Sequence, residues 1–422
     1  MMDRDFDGAW WRLAFLMLCS QPLLAQAWTA QALVDETLAA NPGVDALQQA
    51  VAAAAWQVEP AGALDDPQLT YAIAPRSVDA AGINPGHILG VAQPLPWPGK
   101  RAAQRKAAES DVRVAESDLR ALQLALSASA RQAYAELNYL HGALRINAEQ
   151  QQRLTELQQA TSGRYRAGVG SQHALLRAST RLAERRRQAL ELTAQRRMVE
   201  ARVNAMRNRP IHSNVPQPSG WSTLPVLPPI AALEGALRQS NPRLLKLQAQ
   251  GRTAQLNREL AALAYKPDLR LTANYLGTLP RSEYRTQVGV MLNLPLGQSK
   301  RRAAEAAADA RIAGLEAEQR QQVQHLVAAL AEQVAADRAA TQMLQLYRGD
   351  LVPLARQTLE AAMADYASGR GDVDAVINAE EALLQARVGR LAAEARQWKH
   401  RARIARLTGG MLDEQLLGET GS

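Results

Sequence analysis

The chain has 422 residues, 47% of them hydrophobic and only 4% aromatic, with 49 lysines and arginines against 41 aspartates and glutamates, a formal net charge of +8. A single cysteine excludes a disulfide framework and a thiolate metal site. Acids and bases interleave along every helical stretch, as on solvated faces, so the positive balance does not point to nucleic acid.

Residues 1–27 read as a signal peptide. An apolar stretch from Leu13 to Leu24 closes on Ala25-Gln26-Ala27, a small-x-small cleavage pattern. The leading segment is atypical, because Asp3, Asp5 and Asp7 outnumber Arg4 and Arg12, so a retained anchor is the alternative. Cys19 is a weak lipidation candidate, since Leu18 precedes it where a small residue is expected. No later run of eighteen apolar residues exists, so no membrane-spanning helix is expected.

Asn41-Pro42 opens a helix running to about residue 62, followed by two short strand-like segments. Residues 98–165 then form one long helix without internal proline. Leu119, Leu122, Leu126, Ala130, Ala133, Leu137, Leu140 and Leu144 recur at steps of three and four, close to a heptad. At 1.5 Å per residue it would be roughly 100 Å long, too long for a globular core, so it needs neighbours of its own length. Gly168 and Gly170 permit a tight reversal after Tyr165, and Ser171 or Gln172 opens a return helix ending near Asn208.

An internal repeat supplies the neighbours. Asn41-Pro42 returns as Asn241-Pro242, the segment GVAQPLP from Gly90 as GVMLNLP from Gly289, and Tyr165, Gly168 and Gly170 as Tyr366, Gly369 and Gly371. The expected organisation is a signal peptide (1–27), a first repeat (28–208), a proline-rich equatorial linker (209–230), a second repeat (231–408) and a tail (409–422). The linker holds Pro210, Pro216, Pro218, Pro225, Pro228 and Pro229, which forbid regular helix. Pro353 falls inside the second long helix, where the first has Gln152, and predicts either a kink in one hairpin only or a local adjustment.

The short segments alternate apolar and polar residues. Leu69, Tyr71 and Ile73 alternate with Gln68 and Thr70, and Ile88, Leu89 and Val91 follow with weaker alternation. Leu269, Leu271, Ala273 and Tyr275 alternate with Arg270, Thr272 and Asn274. Tyr284, Thr286, Val288, Val290, Leu292 and Leu294 alternate with Arg285, Gln287, Gly289, Met291 and Asn293. A strand half-buried on a soluble core gives this pattern, and so does an outer-membrane strand with lipid on one side. No sequence is left over to build such a core. Four strands cannot close a barrel, so a membrane reading requires several copies of the chain, their number undecided by periodicity.

The Asn-Pro pairs, the junction Gln93-Pro94-Leu95-Pro96-Trp97-Pro98-Gly99-Lys100-Arg101 and the Tyr-x-x-Gly tips, in duplicated order, resemble the TolC family of outer-membrane efflux channels over nearly the whole mature chain. The junction is most similar to the branch serving heavy-metal cation exporters. The resemblance implies a mainly α fold with a small β part: long antiparallel coiled-coil hairpins plus four transmembrane strands, an internal two-fold repeat, and a trimeric α/β barrel. It implies a homotrimer in outer-membrane lipid, working with a periplasmic adaptor and an inner-membrane pump, with no cofactor, no catalysis and no nucleic acid.

On that resemblance Trp97, Pro98, Gly99, Lys100 and Arg101 would sit at the membrane interface, with Trp97 among the headgroups and the two cations meeting phosphate. An ordinary strand-to-helix turn explains the same residues. The tips Tyr165, Gly168, Gly170, Gly369 and Gly371 would end the periplasmic tunnel, and Asp365, Tyr366, Arg370, Asp372 and Asp374 would gate it. Arg370 would bond to a neighbouring hairpin, and Asp372 or Asp374 would line the aperture, unless Asp372 merely caps its helix. The family's pore-facing acids would fall on Ala375 and Asn378 here, neither of them acidic. The six histidines show no ligand spacing, and no catalytic set is present. The rival reading is a coiled-coil adaptor or structural protein without a pore.

Overall fold

The computed structural model describes residues 28–74, 86–277 and 285–411, with Asp413 and Leu417. The signal-peptide residues, Cys19 among them, and Tyr284 lie outside the described residues.

Asn41 and Asn241 show why the Asn-Pro pairs recur. Each side-chain oxygen accepts from the backbone N–H two residues on, at 2.9 Å from Gly43 and 3.0 Å from Arg243, and the following proline fills the first helical position. These caps open α2 (Pro42–Gly62) and α6 (Pro242–Leu263). Each is preceded by an 11-residue helix, α1 (Ala30–Ala40) and α5 (Ile230–Ser240), which sequence reading left unassigned. Two strands follow each capped helix: β1 (Gln68–Ala74) and β2 (Gly86–Leu95), then β3 (Leu269–Leu276) and β4 (Thr286–Leu292).

The 67-residue helix α3 (Lys100–Arg166) is unbroken, and α4 (Gln172–Met206) returns beside it. Its counterpart is not one helix. α7 (Gln298–Leu346) passes into a five-residue π turn, Tyr347–Leu351, before α8 (Val352–Ala367), and α9 (Val373–Leu407) returns. The irregularity expected at Pro353 is this π turn. Pro353 has no N–H for the carbonyl four residues back, and the wider π turn takes up the mismatch just ahead of it.

α3 packs against α2 and α6 along its N-terminal part and against α4 and α9 beyond. Its burial is consequently not one stripe. Ala130, Ala133, Leu137 and Leu140 are buried as the heptad predicts, whereas Leu119, Leu122, Leu126 and Leu144 are only partly covered and Leu124 is buried instead.

The largest core lies where α1 meets the middle of α3 and α5 meets α7. Leu33, Leu137, Leu140, Leu233, Leu237, Leu330 and Ile404 are fully enclosed there. The linker is tied across it. The Tyr134 hydroxyl lies 3.1 Å from the Gly220 carbonyl and 3.2 Å from Ser219 Oγ, Trp221 packs on Trp398 at 6.1 Å, and Arg401 donates to the Pro225 carbonyl at 3.0 Å.

The four strands form one open antiparallel sheet in the order β1-β2-β3-β4. Register places Leu69 opposite Val91, Val91 opposite Ala273, and Ala273 opposite Val288, so most apolar residues of the four strands share one face, with Ile88, Leu276 and Met291 on the other.

Candidate functional site

No helix among the described residues is long and apolar enough to cross a membrane. The sheet presents the opposite surface. On its apolar face Leu271 is 45% exposed and Val290 64%. Leu69, Tyr71, Ile73, Leu89, Val91 and Val288 are exposed beside them. The other face carries Gln68, Thr70, Arg270, Thr272, Asn274 and Gln287. A contiguous apolar face this large marks a surface that is covered in the working protein. The two outer strands also leave the backbone groups of their free edges unpaired within the sheet.

The strand-to-helix junction is a clamp between the two halves of the chain. Lys100 Nζ and the Trp97 N–H both donate to Asp268 Oδ1, at 2.7 and 2.8 Å. Partial burial pushes the Asp268 carboxyl up, but the bonds from Lys100 and Trp97 outweigh it and hold it below its ordinary range. Gly99 takes a φ of +96° ahead of α3, and Pro98 stands in the turn before it. Arg101 donates to the Gly62 carbonyl at 2.8 Å, and in the second half Arg301 donates to the Ala264 carbonyl at 2.7 Å. Lys100 and Arg101 thus have protein partners, a role the phosphate reading did not include. Asp268 went unnoticed because its partners lie about 170 residues away.

At the far end the two tips are the same turn. Gly168 and Gly369 have φ of +74° and +77°, and the next residue's N–H bonds back to Arg164 O and Asp365 O respectively. Gly170 and Gly371 lie so close to the turn behind them that a Cβ would approach backbone atoms to 3.0 Å. Ser171 caps α4 and Asp372 caps α9, the latter accepting from the Ala375 N–H at 2.7 Å. Ala375 and Asn378 are exposed.

The five residues expected at the gate have unequal surroundings. Arg370 bonds Asp365 within its own turn at 3.2 Å. Asp374 receives Arg177 Nε at 3.0 Å, and Tyr366 lies beneath the Arg164 guanidinium at 5.0 Å. Tyr165 is exposed. Farther in, Arg153 pairs with the buried Glu380 at 3.3 Å and Arg387 with Glu149 at 2.7 Å. Burial pushes the Glu380 carboxyl up, only partly offset by Arg153 and Arg387. The arginines of the first hairpin, which sequence reading treated as solvated, therefore grip the second. The contacts of Arg164 and Arg177 span 202 and 197 residues, close to the repeat offset, whereas that of Arg153 spans 227. Among the described residues no three His, Cys, Asp or Glu side chains converge as a metal site.

A profile of the outer membrane efflux protein family matches residues 33–208 and 233–410. The outer membrane protein VceC of Vibrio cholerae superposes with a TM-score of 0.77 at 19% identity, covering 90% of this chain and 96% of its own. The channel CusC gives 0.75 at 16%, covering 90% and 92%. The open-state MtrE outer membrane channel of Neisseria gonorrhoeae gives 0.75 at 17%, covering 93% and 91%. At these identities the superpositions speak for the fold. No curated protein matches the chain in sequence.

Proposed function

The chain belongs to the outer membrane efflux protein family, and on that premise we propose that three copies share one barrel and form a passive conduit from the periplasm through the outer membrane. The chain is an efflux channel component of that membrane, extending into the periplasm. The observation that carries the reading is the exposed apolar face of an open four-stranded sheet with two free edges. Pairing β1 of one copy with β4 of the next gives twelve strands, removes every edge, and turns the apolar faces to lipid and the polar faces to the lumen. The twelve long and return helices would continue the wall as a tunnel. Residues 28–208 and 231–408 would act as equivalent units joined by the linker, with Trp97 at the headgroup level.

A periplasmic adaptor and an inner-membrane pump complete the proposed system. The pump would choose the cargo, with heavy-metal cations the class the junction resemblance implies. A monodisperse monomer isolated without detergent would overturn the reading. The expected result is an outer-membrane species that runs as a detergent-resistant oligomer unheated and as a monomer after boiling. An adaptor without a pore would instead leave with the soluble or inner-membrane fraction.

The grip of the first hairpin on the second would hold the periplasmic end shut. Arg177→Ala and Asp374→Ala each remove an ion pair worth about 0.5 kcal/mol, and three copies raise the open fraction about tenfold. Single-channel recording in planar bilayers should show that increase. Arg370→Glu breaks the turn's own pair and should raise conductance as well. An unchanged trace in all three variants would count against this lock.

The buried Glu380 makes the same contact sensitive to pH. Its folded pKa is raised, so docking of α9 on α3 is strongest below the ordinary carboxylate pKa and weakens as pH rises through the raised value. Opening should therefore become more frequent across that window, and Glu380→Gln should abolish the dependence and stay near the low-pH behaviour.

A further inference from the structure

We propose that the membrane-spanning part of the pore favours anions and that Arg270 sets this preference; the inference rests on the proposed lumenal position of the polar face. None of the four strands contains an aspartate or glutamate. Two cations stand on the polar face. Arg270 pairs in register with Pro94 and Met291, and Arg285 lies opposite Leu276, whose N–H donates to the Arg285 carbonyl at 2.7 Å.

Arg270 is positioned rather than loose. Its Nη1 reaches across β2 to Gln68 Oε1 at 3.0 Å, where Ala92 and Pro94 leave room, and this partner is a neutral amide. The rest of the face is built of uncharged groups. Asn274 in particular is packed so closely over Gly90 that a Cβ there would lie 2.4 Å from its Oδ1. Nearby charges at the junction offset one another: Asp268 is bound by Lys100, and Asp65 and Asp66 are matched in number by Lys266 and Arg101. The strand connections, which lie outside the described residues, each carry one base and one acid, Arg76 with Asp79 and Arg281 with Glu283. Arg270 is therefore the one fixed charge within the four strands, and its side-chain partner is neutral.

Three guanidinium groups about 10 Å from the axis, in water and screened over one Debye length at 0.1 M salt, bias chloride over potassium by about fourfold. A bare divalent cation is disfavoured against chloride about eightfold on the same estimate. Cargo would pass more readily as an anion, a neutral solute or a complex that masks the metal's charge.

The test is the chloride-to-potassium permeability ratio, from reversal potentials in planar bilayers under a potassium chloride gradient, using the full-length detergent-extracted oligomer. Arg270→Lys should keep the wild-type ratio, Arg270→Gln should lower it about fourfold, and Arg270→Glu should lower it about sixteenfold. The differences should shrink toward nothing at 1 M salt, where screening acts within about 3 Å. Equal ratios for wild type and Arg270→Glu, with normal conductance and oligomer, would overturn the assignment of Arg270 and leave the channel intact. Absence of conductance from every form, wild type included, would overturn the channel reading itself.

Discussion

Val290→Arg is expected to eliminate the detergent-resistant oligomer from the outer membrane, while Gln287→Arg on the same strand is expected to leave it in place. Val290 lies inside β4 on the apolar face, 64% exposed in the single chain. Gln287 lies three residues away on the opposite face, in register with Asn274. An arginine facing lipid near the bilayer midplane costs about 2–4 kcal/mol, and a trimer suffers it three times, about 6–12 kcal/mol in all. That is comparable to the whole stability of many domains. On a lumenal face the same residue stays in water and costs little. The comparison holds strand, chain and substituted charge fixed and changes only the face. If both variants assemble as the wild type does, the sheet is not in lipid. The readout is heat-modifiable mobility after membrane fractionation, with total protein measured to separate failed assembly from failed synthesis.

What could be read from the residues followed how local each signal is. The Asn-Pro caps were legible because an asparagine oxygen and a proline at the first helical position act within three residues. Strand parity was legible because one face must differ from the other, and Val290 and Leu271 carry that difference. α1 and α5 were missed although Thr29 caps α1 by accepting from the Ala32 N–H. At 11 residues each they are short, and they run straight into the stronger Asn-Pro signal. Pro353 announced an irregularity, but whether the helix kinks or widens depends on what lies beside it. Here Tyr347 packs its hydroxyl end against Gly389 of α9, where a Cβ would lie 2.4 Å away. The clamp at Asp268 and the grips of Arg153, Arg164 and Arg177 were illegible as contacts. Each is an ordinary charged residue on a helix or turn until a partner about 170 to 230 residues away is placed beside it.

Asp337→Ala is expected to be the most destabilising of the polar substitutions in the helical part. Asp337 and Arg401 form an ion pair of 2.7 Å whose side chains are only 2% and 3% exposed, between α7 and α9 at the equatorial core. Removing the carboxylate takes the ion-pair partner at 2.7 Å from an enclosed guanidinium, a change that costs about 3–5 kcal/mol. Exchanging both partners for apolar residues of similar size is a different case, because no charge is left stranded. Asp337→Leu with Arg401→Met should recover most of the loss. The recovery should nevertheless be incomplete in one respect. Arg401 also donates to the Pro225 carbonyl, so the double variant frees a segment of the linker that the single variant keeps tied. Denaturation midpoints should therefore rank wild type and double variant together above Asp337→Ala, while limited proteolysis within residues 209–230 should be faster in the double variant alone. A midpoint for Asp337→Ala within about 0.5 kcal/mol of wild type, the range of ordinary surface substitutions, would mean that this pair lies in water rather than in the core. The equator would then be held by its leucines and by the linker's aromatic contact at Trp398.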